Sequence, residues 1–435
     1  MSLYKIKSYI SSSSVKDNIL YILTITILFQ FLKDTYILYY FALILIFSLV
    51  AITFIFERNY SKYLNYDHVS ISFYIYLFAM FLTTIISIVY MDRWGMDSSE
   101  LLIALGKFYI CPIMCASFIL LANKEKYFKN ILYIYALFII LASLSIYIQE
   151  IFGHISFFGE TFYHIPRYGK LGYSSITGSV NSYGICFFVA IFIIYFLTEL
   201  NVFLKAIIIS VIIFAALLVT SKSGFVNIGL TLLILFIYSF IKKEWSIFLL
   251  CLIILFLGII FVDSLYIAFT YLFANTFGFE IVPNTKGIDL STDDIDGRIY
   301  WSLYELAYER LSLRFFPTNL VPIDYLIGLG VYGGGGAFGT NAISSHNSYV
   351  DTYIVGGIAL ILSQLFLMLS VQINLLKEIL YKNNNISLIL FLSNSLILFN
   401  LLFFNGGIYQ PVISFSFWLS VAFLILKKIK SNQFY

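Results

Sequence analysis

Long apolar runs follow one another along nearly the whole chain, and this feature restricts the fold more than any other. A helix of about 20 residues, rising about 1.5 Å per residue, spans the hydrocarbon layer of a bilayer. Only 11% of the 435 residues are charged, against about 25% in an ordinary soluble domain. A soluble globular fold is therefore excluded, and the sequence predicts an all-α, polytopic membrane protein.

Twelve apolar runs are long enough to be membrane-spanning helices, so we predict about twelve transmembrane helices in a single integral membrane domain covering residues 1–435. Two connections are long, at residues 152–177 and 271–347, and connections longer than about 15 residues are usually functional or disordered. The larger one, between the ninth and tenth spans, is rich in aromatic residues and leucine, which predicts a folded, partly helical cap. The runs lie near residues 18–32, 36–56, 69–90, 100–122, 130–151, 178–198, 203–220, 224–241, 246–270, 348–376, 386–404 and 411–427.

Lysine clusters at residues 124–129, 242–243 and 427–430 indicate the orientation of the spans. Cytoplasmic loops are enriched in Lys and Arg, so these clusters place both termini in the cytoplasm and the two long connections outside. The enrichment of Lys and Arg in cytoplasmic loops does not explain the basic residues within those long outer connections. They are Arg167, Lys170, Lys286, Arg298, Arg310 and Arg314.

Net charge and cysteine usage narrow the class of function. A formal net charge of +3, with basic residues scattered along the chain, does not indicate a nucleic-acid partner. The four cysteines lie inside apolar runs, so the sequence indicates neither a disulfide framework nor a zinc site. It predicts four small, buried side chains instead.

One predicted amphipathic helix in the larger connection carries three arginines. Capping residues at 291–294 begin it and Pro317 ends it. Arg298 lies in the first turn, where a cation opposes the helix dipole, so it either pairs with a neighbouring aspartate or binds an anion. Arg310 and Arg314 share one face, which suits either phosphate oxygens or a solvated surface.

A glycine-rich run at residues 328–336 follows that helix. Gly328, Gly330 and Gly333 match the pattern GxGxxG, but the membrane span that begins near Ser348 leaves no room for the βαβ unit of a dinucleotide-binding fold. Two interpretations remain open. The run is either a flexible hinge or a nest of backbone N–H groups that binds an anion.

His346 stands where the chain re-enters the membrane, and Asn347 follows it. A neutral imidazole, whose unperturbed pKa is about 6.5, is suited to take a proton from a hydroxyl group. His346 is therefore either a general base or a satisfied polar residue, and alone it does not make a metal site.

Polar residues at the starts of other predicted spans are further candidates for the same site. Lys222 interrupts an apolar stretch too long for one span, and either binds a ligand or reaches to the membrane surface. Arg167 precedes Asn181, whose polar side chain at the start of the sixth span has to face protein or water. Cations beside one histidine, with tyrosines such as Tyr300, suit a substrate that combines a lipid tail, a diphosphate and a sugar.

The order of these pieces resembles that in the O-antigen polymerase and O-antigen ligase superfamily of bacterial envelope enzymes, over about residues 165–365. The matching pieces are Arg167, Asn181, the SKSG turn at 221–224, the DGR segment at 296–298, the GLG segment at 328–330, His346-Asn347 and Gly357.

Two positions depart from the family pattern. Lys222 stands where the family commonly has arginine, and a lysine is a point charge that lacks the bidentate fork of a guanidinium group. After Gly357 the family often has a second glycine three residues on, whereas this chain has Leu360, with Gly356 preceding instead.

The resemblance implies a fold related to C-type glycosyltransferases in the bacterial inner membrane, acting in surface polysaccharide or lipopolysaccharide biosynthesis. It implies an undecaprenyl-diphosphate-linked oligosaccharide as substrate, a periplasmic active site, no metal or other cofactor, and a chain-length regulator as a partner. His346 would be the catalytic base. Residues that would bind the diphosphate are Arg298, Arg167, Lys222, Arg314 and Arg310, and those that would support the substrate pocket are Asn181, Asn347, Gly328, Gly330 and Tyr300.

Three functions stay open at this point. A polymerase joins lipid-linked repeat units, and a ligase moves finished polysaccharide to the lipopolysaccharide core; both would use the same residues. A flippase for the same lipid would instead carry ionisable residues along mid-membrane faces. Charged residues within the predicted spans are few, and most lie within four residues of a span end, which favours an enzyme. Those near an end are Glu100, Glu150, Lys205, Asp351 and Lys427, whereas Lys107 and Asp263 lie deeper.

Overall fold

The computed structural model describes residues 13–29, 37–56, 67–92, 97–122, 125–153, 155–157, 160–162, 164–167, 170–178, 180–219, 221–260, 322–331, 347–403 and 407–431. Most of these residues are helical. The helices are α1 (Ser13–Leu28), α2 (Ile37–Phe56), α3 (His68–Val89), α4 (Ser98–Leu121), α5 (Glu125–Phe152), α6 (Val180–Leu197), α7 (Val202–Leu218), α8 (Lys222–Lys242), α9 (Trp245–Ile260), α10 (Pro322–Ile327), α11 (Ser348–Lys382), α12 (Asn385–Asn400) and α13 (Phe415–Ser431).

The helical character predicted from the apolar runs is confirmed, because a helix lies in each of the twelve predicted ranges. Within the described residues, five helices are long and apolar enough to cross a membrane, namely α3, α4, α5, α8 and α11. The protein is therefore a helical membrane protein. The number of crossings, twelve, stays a prediction.

Residues 152–177, which were predicted to be a connection, contain short strands. β1 (Ile155–Phe157) pairs antiparallel with β2 (Glu160–Phe162), and β3 (His164–Arg167) pairs antiparallel with β4 (Lys170–Tyr173). The hairpins add a small amount of β structure to the helical fold.

The chain divides into two compact units. The first unit combines Met1–Phe138 with Phe316–Tyr435, and the second is Ile139–Phe315.

In the first unit, α3 and α11 pack along each other, and α4, α12 and α13 complete the bundle. Trp418 of α13 is completely buried and its indole N–H donates to the carbonyl of Ile408 at 3.1 Å. Its ring lies 5.8 Å from that of Tyr76 and 6.4 Å from that of Phe73, both on α3. Aromatic contacts of this kind fix how α3 and α13 pack.

Helix α11 is longer than the predicted span and is kinked. It runs over 35 residues, and Gly357 within it has non-helical φ and ψ angles of 61° and −158°. The predicted span ended at residue 376, where the apolar run stops, but the helix continues for another six residues to Lys382. Asn383, in the left-handed conformation at φ 46°, ends the helix.

In the second unit, α6 is the central helix. Residues 182–194 of α6 are buried on every side, as expected for a helix that is apolar all round and enclosed by other helices. Tyr183, near the start of α6, is buried in protein: the hydroxyl groups of Tyr183 and Ser143 are 2.6 Å apart, and the Tyr183 hydroxyl also contacts the carbonyl of Ile212.

All four cysteines are free thiols and are buried, which confirms the prediction made from their apolar surroundings.

Candidate functional site

The end of the large connection is attached to the kink of α11 by backbone hydrogen bonds. The N–H of Leu329 donates to the carbonyl of Ile354 at 2.8 Å, and the N–H of Gly330 donates to the carbonyl of Val355 at 3.0 Å. In a regular helix those two carbonyls accept from the residues four positions later. The kink therefore presents carbonyl groups of α11 to another segment of the chain.

Four glycines make this close approach possible, and we call them the glycine clamp: Gly328, Gly330, Gly356 and Gly357. A Cβ atom on Gly328 would lie 2.5 Å from the amide nitrogen of Gly357 and 2.6 Å from that of Gly356. A Cβ atom on Gly357 would lie 2.6 Å from the amide nitrogen of Gly328. Because the neighbouring atoms belong to the backbone, only glycine fits at these two positions.

Backbone conformation gives a second reason for glycine. Gly328 and Gly330 have φ angles of 81° and 79°. Gly357 lies in a region of positive φ and extended ψ that is essentially restricted to glycine. Gly356 lies against the side chains of Leu360 and Thr83, which an added Cβ atom would meet.

Helix α3 holds the other side of the clamp. The N–H of Val331 donates to the hydroxyl of Ser87 at 2.9 Å, and that hydroxyl donates to the carbonyl of Thr83 at 2.7 Å. A Cβ atom on Gly330 would lie 2.8 Å from the Cα atom of Ser87. The clamp is therefore a three-way contact of α3, α11 and the residues after α10.

Helix α10 is attached to the end of α3 through a buried carboxylate. Asp324 is 3% exposed, and its Oδ1 atom accepts a hydrogen bond from the hydroxyl of Tyr90 at 2.9 Å. Tyr90 is the C-cap residue of α3. A hydrogen bond to a charged group of this kind contributes about 1.5 to 3 kcal/mol.

Replacing Tyr90 by phenylalanine is therefore expected to lower the free energy of unfolding by about 1.5 to 3 kcal/mol. The measurement is thermal or denaturant unfolding of the purified protein in detergent. Tyr381→Phe is the matched control, because the Tyr381 side chain is 83% exposed. Equal stability of Tyr90→Phe and the control would contradict the role given to this contact.

The start of α11 is fixed by Asn347, the residue after the predicted catalytic histidine. Asn347 is buried and is the N-cap of α11, and its Oδ1 atom accepts from the N–H groups of Tyr349 at 3.0 Å and Val350 at 3.3 Å. A side-chain N-cap stabilises a helix by about 1 kcal/mol. The chain therefore enters α11 from a defined position.

A buried polar cluster lies in the first turns of α11. Asp351 is 1% exposed, and the negative charge of a carboxylate is favoured at a helix N-terminus. The hydroxyl of Thr352 lies 2.9 Å from Oε1 of Gln364 and 3.2 Å from the hydroxyl of Tyr409. The hydroxyl of Ser348 accepts from the N–H of Gly407 at 2.8 Å. These contacts attach the turn after α12 to the start of α11.

Together, the clamp and the N-cap hold both flanks of residues 332–346 on α11. Leu329 and Gly330 bond to its second turn, and Asn347 begins its first. Residues 332–346 contain the rest of the glycine run and His346. Asn347, the residue that follows position 346, is therefore fixed at the start of α11.

The interpretation of the glycine run as an anion-binding nest is wrong for residues 329–331. The N–H groups of Leu329, Gly330 and Val331 donate to protein acceptors, so they do not bind an anion as well. The hinge interpretation does not describe these residues either, because Gly328 and Gly330 are buried and packed. Residues 332–336 lie outside the described part.

In the second unit, the starts of α6 and α8 meet at two glycines. The Cα atoms of Gly184 and Gly224 are so close that a Cβ atom on Gly184 would lie 3.1 Å from Cα of Gly224. The side-chain amide of Asn227 also donates to the carbonyl of Gly184 at 2.7 Å. Asn181 and Lys222, which lie three and two residues before these glycines, therefore begin two adjacent helices.

The structure places some predicted site residues and not others. In the first unit, Asn347 caps the start of α11, and Gly328 and Gly330 lie at its kink. Arg167 is the last residue of β3, and its side chain, like those of Asn181 and Lys222, is not described. Five predicted site residues lie outside the described part: His346, Arg298, Tyr300, Arg310 and Arg314.

Sequence reasoning did not identify Ser87, Tyr90 and Asp324. Pro322 at the first position of α10, with Asp324 in the first turn, is a helix-start signal that was available in the sequence. Ser87 and Tyr90 lie in an apolar run without a distinguishing pattern, and only the fold brings them to the loop.

Within the described residues, no group of three or more His, Cys, Asp or Glu side chains is arranged to hold a metal ion. Comparison with protein-family models and with curated proteins gives no match to this chain.

Proposed function

We propose that this protein is a polysaccharide polymerase of the bacterial inner membrane. It transfers a growing glycan from undecaprenyl diphosphate to a lipid-linked repeat unit at the periplasmic face, as the resemblance to the O-antigen polymerase and ligase superfamily implies. The twelve predicted spans and a fold related to C-type glycosyltransferases belong to the same proposal.

The observation that carries the proposal is the anchoring of residues 332–346 at both ends. The glycine clamp and the Asn347 cap hold the flanks of this segment against one kinked helix, α11. Catalysis by a positioned side chain needs a defined geometry, because misplacement of reacting groups by about 1 Å is enough to lower rates strongly. The chain supports such positioning where His346 is attached.

In the proposed reaction, His346 takes a proton from the acceptor hydroxyl while the oxygen of that hydroxyl attacks the anomeric carbon of the donor sugar. The bond between that carbon and the phosphate oxygen breaks, and undecaprenyl diphosphate leaves with both electrons of the bond. Cations stabilise the negative charge that develops on the leaving diphosphate. We assign this role to Arg298, Arg167 and Lys222, together with Arg314 and Arg310.

The supporting residues have separate proposed roles. Asn347 fixes the chain next to His346, and Gly328 and Gly330 hold the other flank of the segment. Asn181 and Tyr300 support the substrate pocket. The proposal requires no metal or other cofactor, and a chain-length regulator would act as a partner on the product.

Deletion of the gene, followed by gel analysis of surface polysaccharide, tests the proposal. A polymerase predicts loss of the ladder of long chains while single repeat units remain attached to the lipopolysaccharide core. Loss of all attached glycan, with long lipid-linked polymer accumulating, would show a ligase. Accumulation of single lipid-linked units on the cytoplasmic leaflet would show a flippase, and either of these results would overturn the polymerase.

A further inference from the structure

A cavity of about 310 Å³ lies at the other end of α11, in the first unit. Its lining comes from α3, α11 and α13, with Val69 and Leu424 as apolar members. The polar members include one carboxylate, Glu378. They also include four lysines, which define what we call the lysine cleft: Lys377, Lys382, Lys427 and Lys428.

Glu378 positions two of the four ammonium groups. Its Oε1 atom is 3.0 Å from Nζ of Lys382, and its Oε2 atom is 2.5 Å from Nζ of Lys427. Partial burial disfavours the charged carboxylate, but the hydrogen bonds from Lys427 and Lys382 outweigh it and hold the pKa of Glu378 below its usual value. The Lys427 ammonium also lies 5.2 Å from the ring centre of Phe423. Two cations are therefore fixed in the wall of the cleft.

The cleft carries an excess of positive charge. The C-terminal ends of α11 and α13 together contribute about one negative charge, from about half a charge at each helix terminus. Glu378 contributes one more, so four ammonium groups leave an excess of about two positive charges. The positive end of α3 offsets about half of the charge of Asp67, its N-cap residue near Val69, which leaves an excess of about one and a half positive charges.

The position of the cleft along α11 is that of a membrane surface. Residues 358–376 carry no charged side chain, and nineteen residues of helix extend over about 28 Å, close to the thickness of the hydrocarbon layer. Lys377 and Glu378 come directly after this stretch. Tyr381, which is exposed, also lines the cleft, and tyrosine is enriched at the level of lipid headgroups.

We propose that the lysine cleft is a phosphate-binding site whose ligand is the headgroup of an anionic membrane lipid. Lysine side chains at a helix end also satisfy the helix dipole and the positive-inside rule, but neither effect requires a walled cavity or a buried carboxylate that positions two of the cations. This site is separate from the glycine clamp, and the proposal does not depend on the function proposed above.

The test is native mass spectrometry of the detergent-solubilised protein titrated with phosphatidylglycerol. The variant carries Lys377→Gln and Lys428→Gln, two exposed positions in the lining of the cleft. Each basic residue near a lipid surface contributes about a fivefold change in affinity, so the double variant is expected to bind phosphatidylglycerol about 25-fold more weakly. Unchanged thermal stability without lipid shows that the variant is folded.

The matched control is the double variant Lys242→Gln, Lys243→Gln. These two lysines are also exposed at the end of an apolar helix, α8, and they do not line the lysine cleft. Phosphatidylglycerol binding close to that of the unmodified protein is expected. An equal loss in the control would show diffuse attraction to basic residues and would overturn the proposal.

Inorganic phosphate and phosphatidylcholine separate the possible sources of the phosphate group. The proposal predicts weak binding of both, because one lacks the lipid tail and the other carries no net negative charge. Inorganic phosphate that binds as tightly as phosphatidylglycerol would overturn the lipid assignment in favour of a soluble phosphate ligand. Equal binding of phosphatidylglycerol by the unmodified protein and the Lys377, Lys428 variant would overturn the site itself.

Discussion

Replacing His346 by alanine is expected to reduce polymer synthesis by at least about 100-fold, the usual lower bound for losing a general base. The reason is that the acceptor hydroxyl is a weak nucleophile until a base takes its proton. The measurement is the ladder of chain lengths on gels from cells in which the variant replaces the native protein. Protein abundance in the membrane is measured in parallel, so that loss of activity is separated from loss of protein.

His68→Ala is the matched control, because His68 is an exposed residue at the start of α3 and has no proposed catalytic role. It is expected to leave the ladder unchanged. The His346 variant should also leave translocation of the lipid-linked repeat unit intact, whereas a transport defect would indicate a flippase. A normal ladder from the His346 variant at normal abundance would remove the catalytic assignment.

Replacing Gly357 by alanine is expected to open the glycine clamp. A side chain in this backbone region costs about 1 to 3 kcal/mol, and overpacking against fixed atoms costs about a further 1 to 3 kcal/mol. The added Cβ atom would lie 2.6 Å from the amide nitrogen of Gly328, so the two segments must separate. We expect a large fall in the free energy of unfolding and loss of the polymer ladder.

Gly106→Ala is the control for this variant. Gly106 lies inside α4 with no atom within 4 Å of an added Cβ, so alanine is expected to keep or slightly raise stability. Gly328→Ala should behave like Gly357→Ala, and the double variant should lose less than the sum of both, since they break one contact. Wild-type stability of Gly357→Ala, or fully additive losses, would contradict the clamp.

The positions of the helices were predictable from the sequence because membrane spans depend on a local property, hydrophobic length. The run at residues 100–122 contains α4 almost end to end, for example. The hairpins at Ile155–Phe162 and His164–Tyr173 were not predicted, because strands of three or four residues leave too little alternation to detect. The kink in α11 was not predicted either. A glycine such as Gly357 also occurs in regular helices, and here the kink depends on the segment that packs against it.

The residue types of the candidate site were predictable from the sequence, but most of its contacts were not. Gly328, Gly330 and Asn347 stood out by their spacing around the large connection. The two glycines lie at the kink of α11 and Asn347 lies at its start. The spacing did not show that the N–H groups of residues 329–331 donate hydrogen bonds to carbonyls of α11 and to the hydroxyl of Ser87. These hydrogen bonds depend on which helices pack together, which no local pattern specifies. The convergence of the arginines with His346 stays a prediction.

The most direct measurement is a density map of the purified protein in a lipid nanodisc with an undecaprenyl-diphosphate-linked sugar bound. The proposed function predicts that the diphosphate contacts Arg298, Arg167 and Lys222. It also predicts that His346 lies close enough to the anomeric carbon for an acceptor hydroxyl to fit between them. A diphosphate bound on the cytoplasmic side of the bilayer, or cations too far apart to touch it together, would contradict the account.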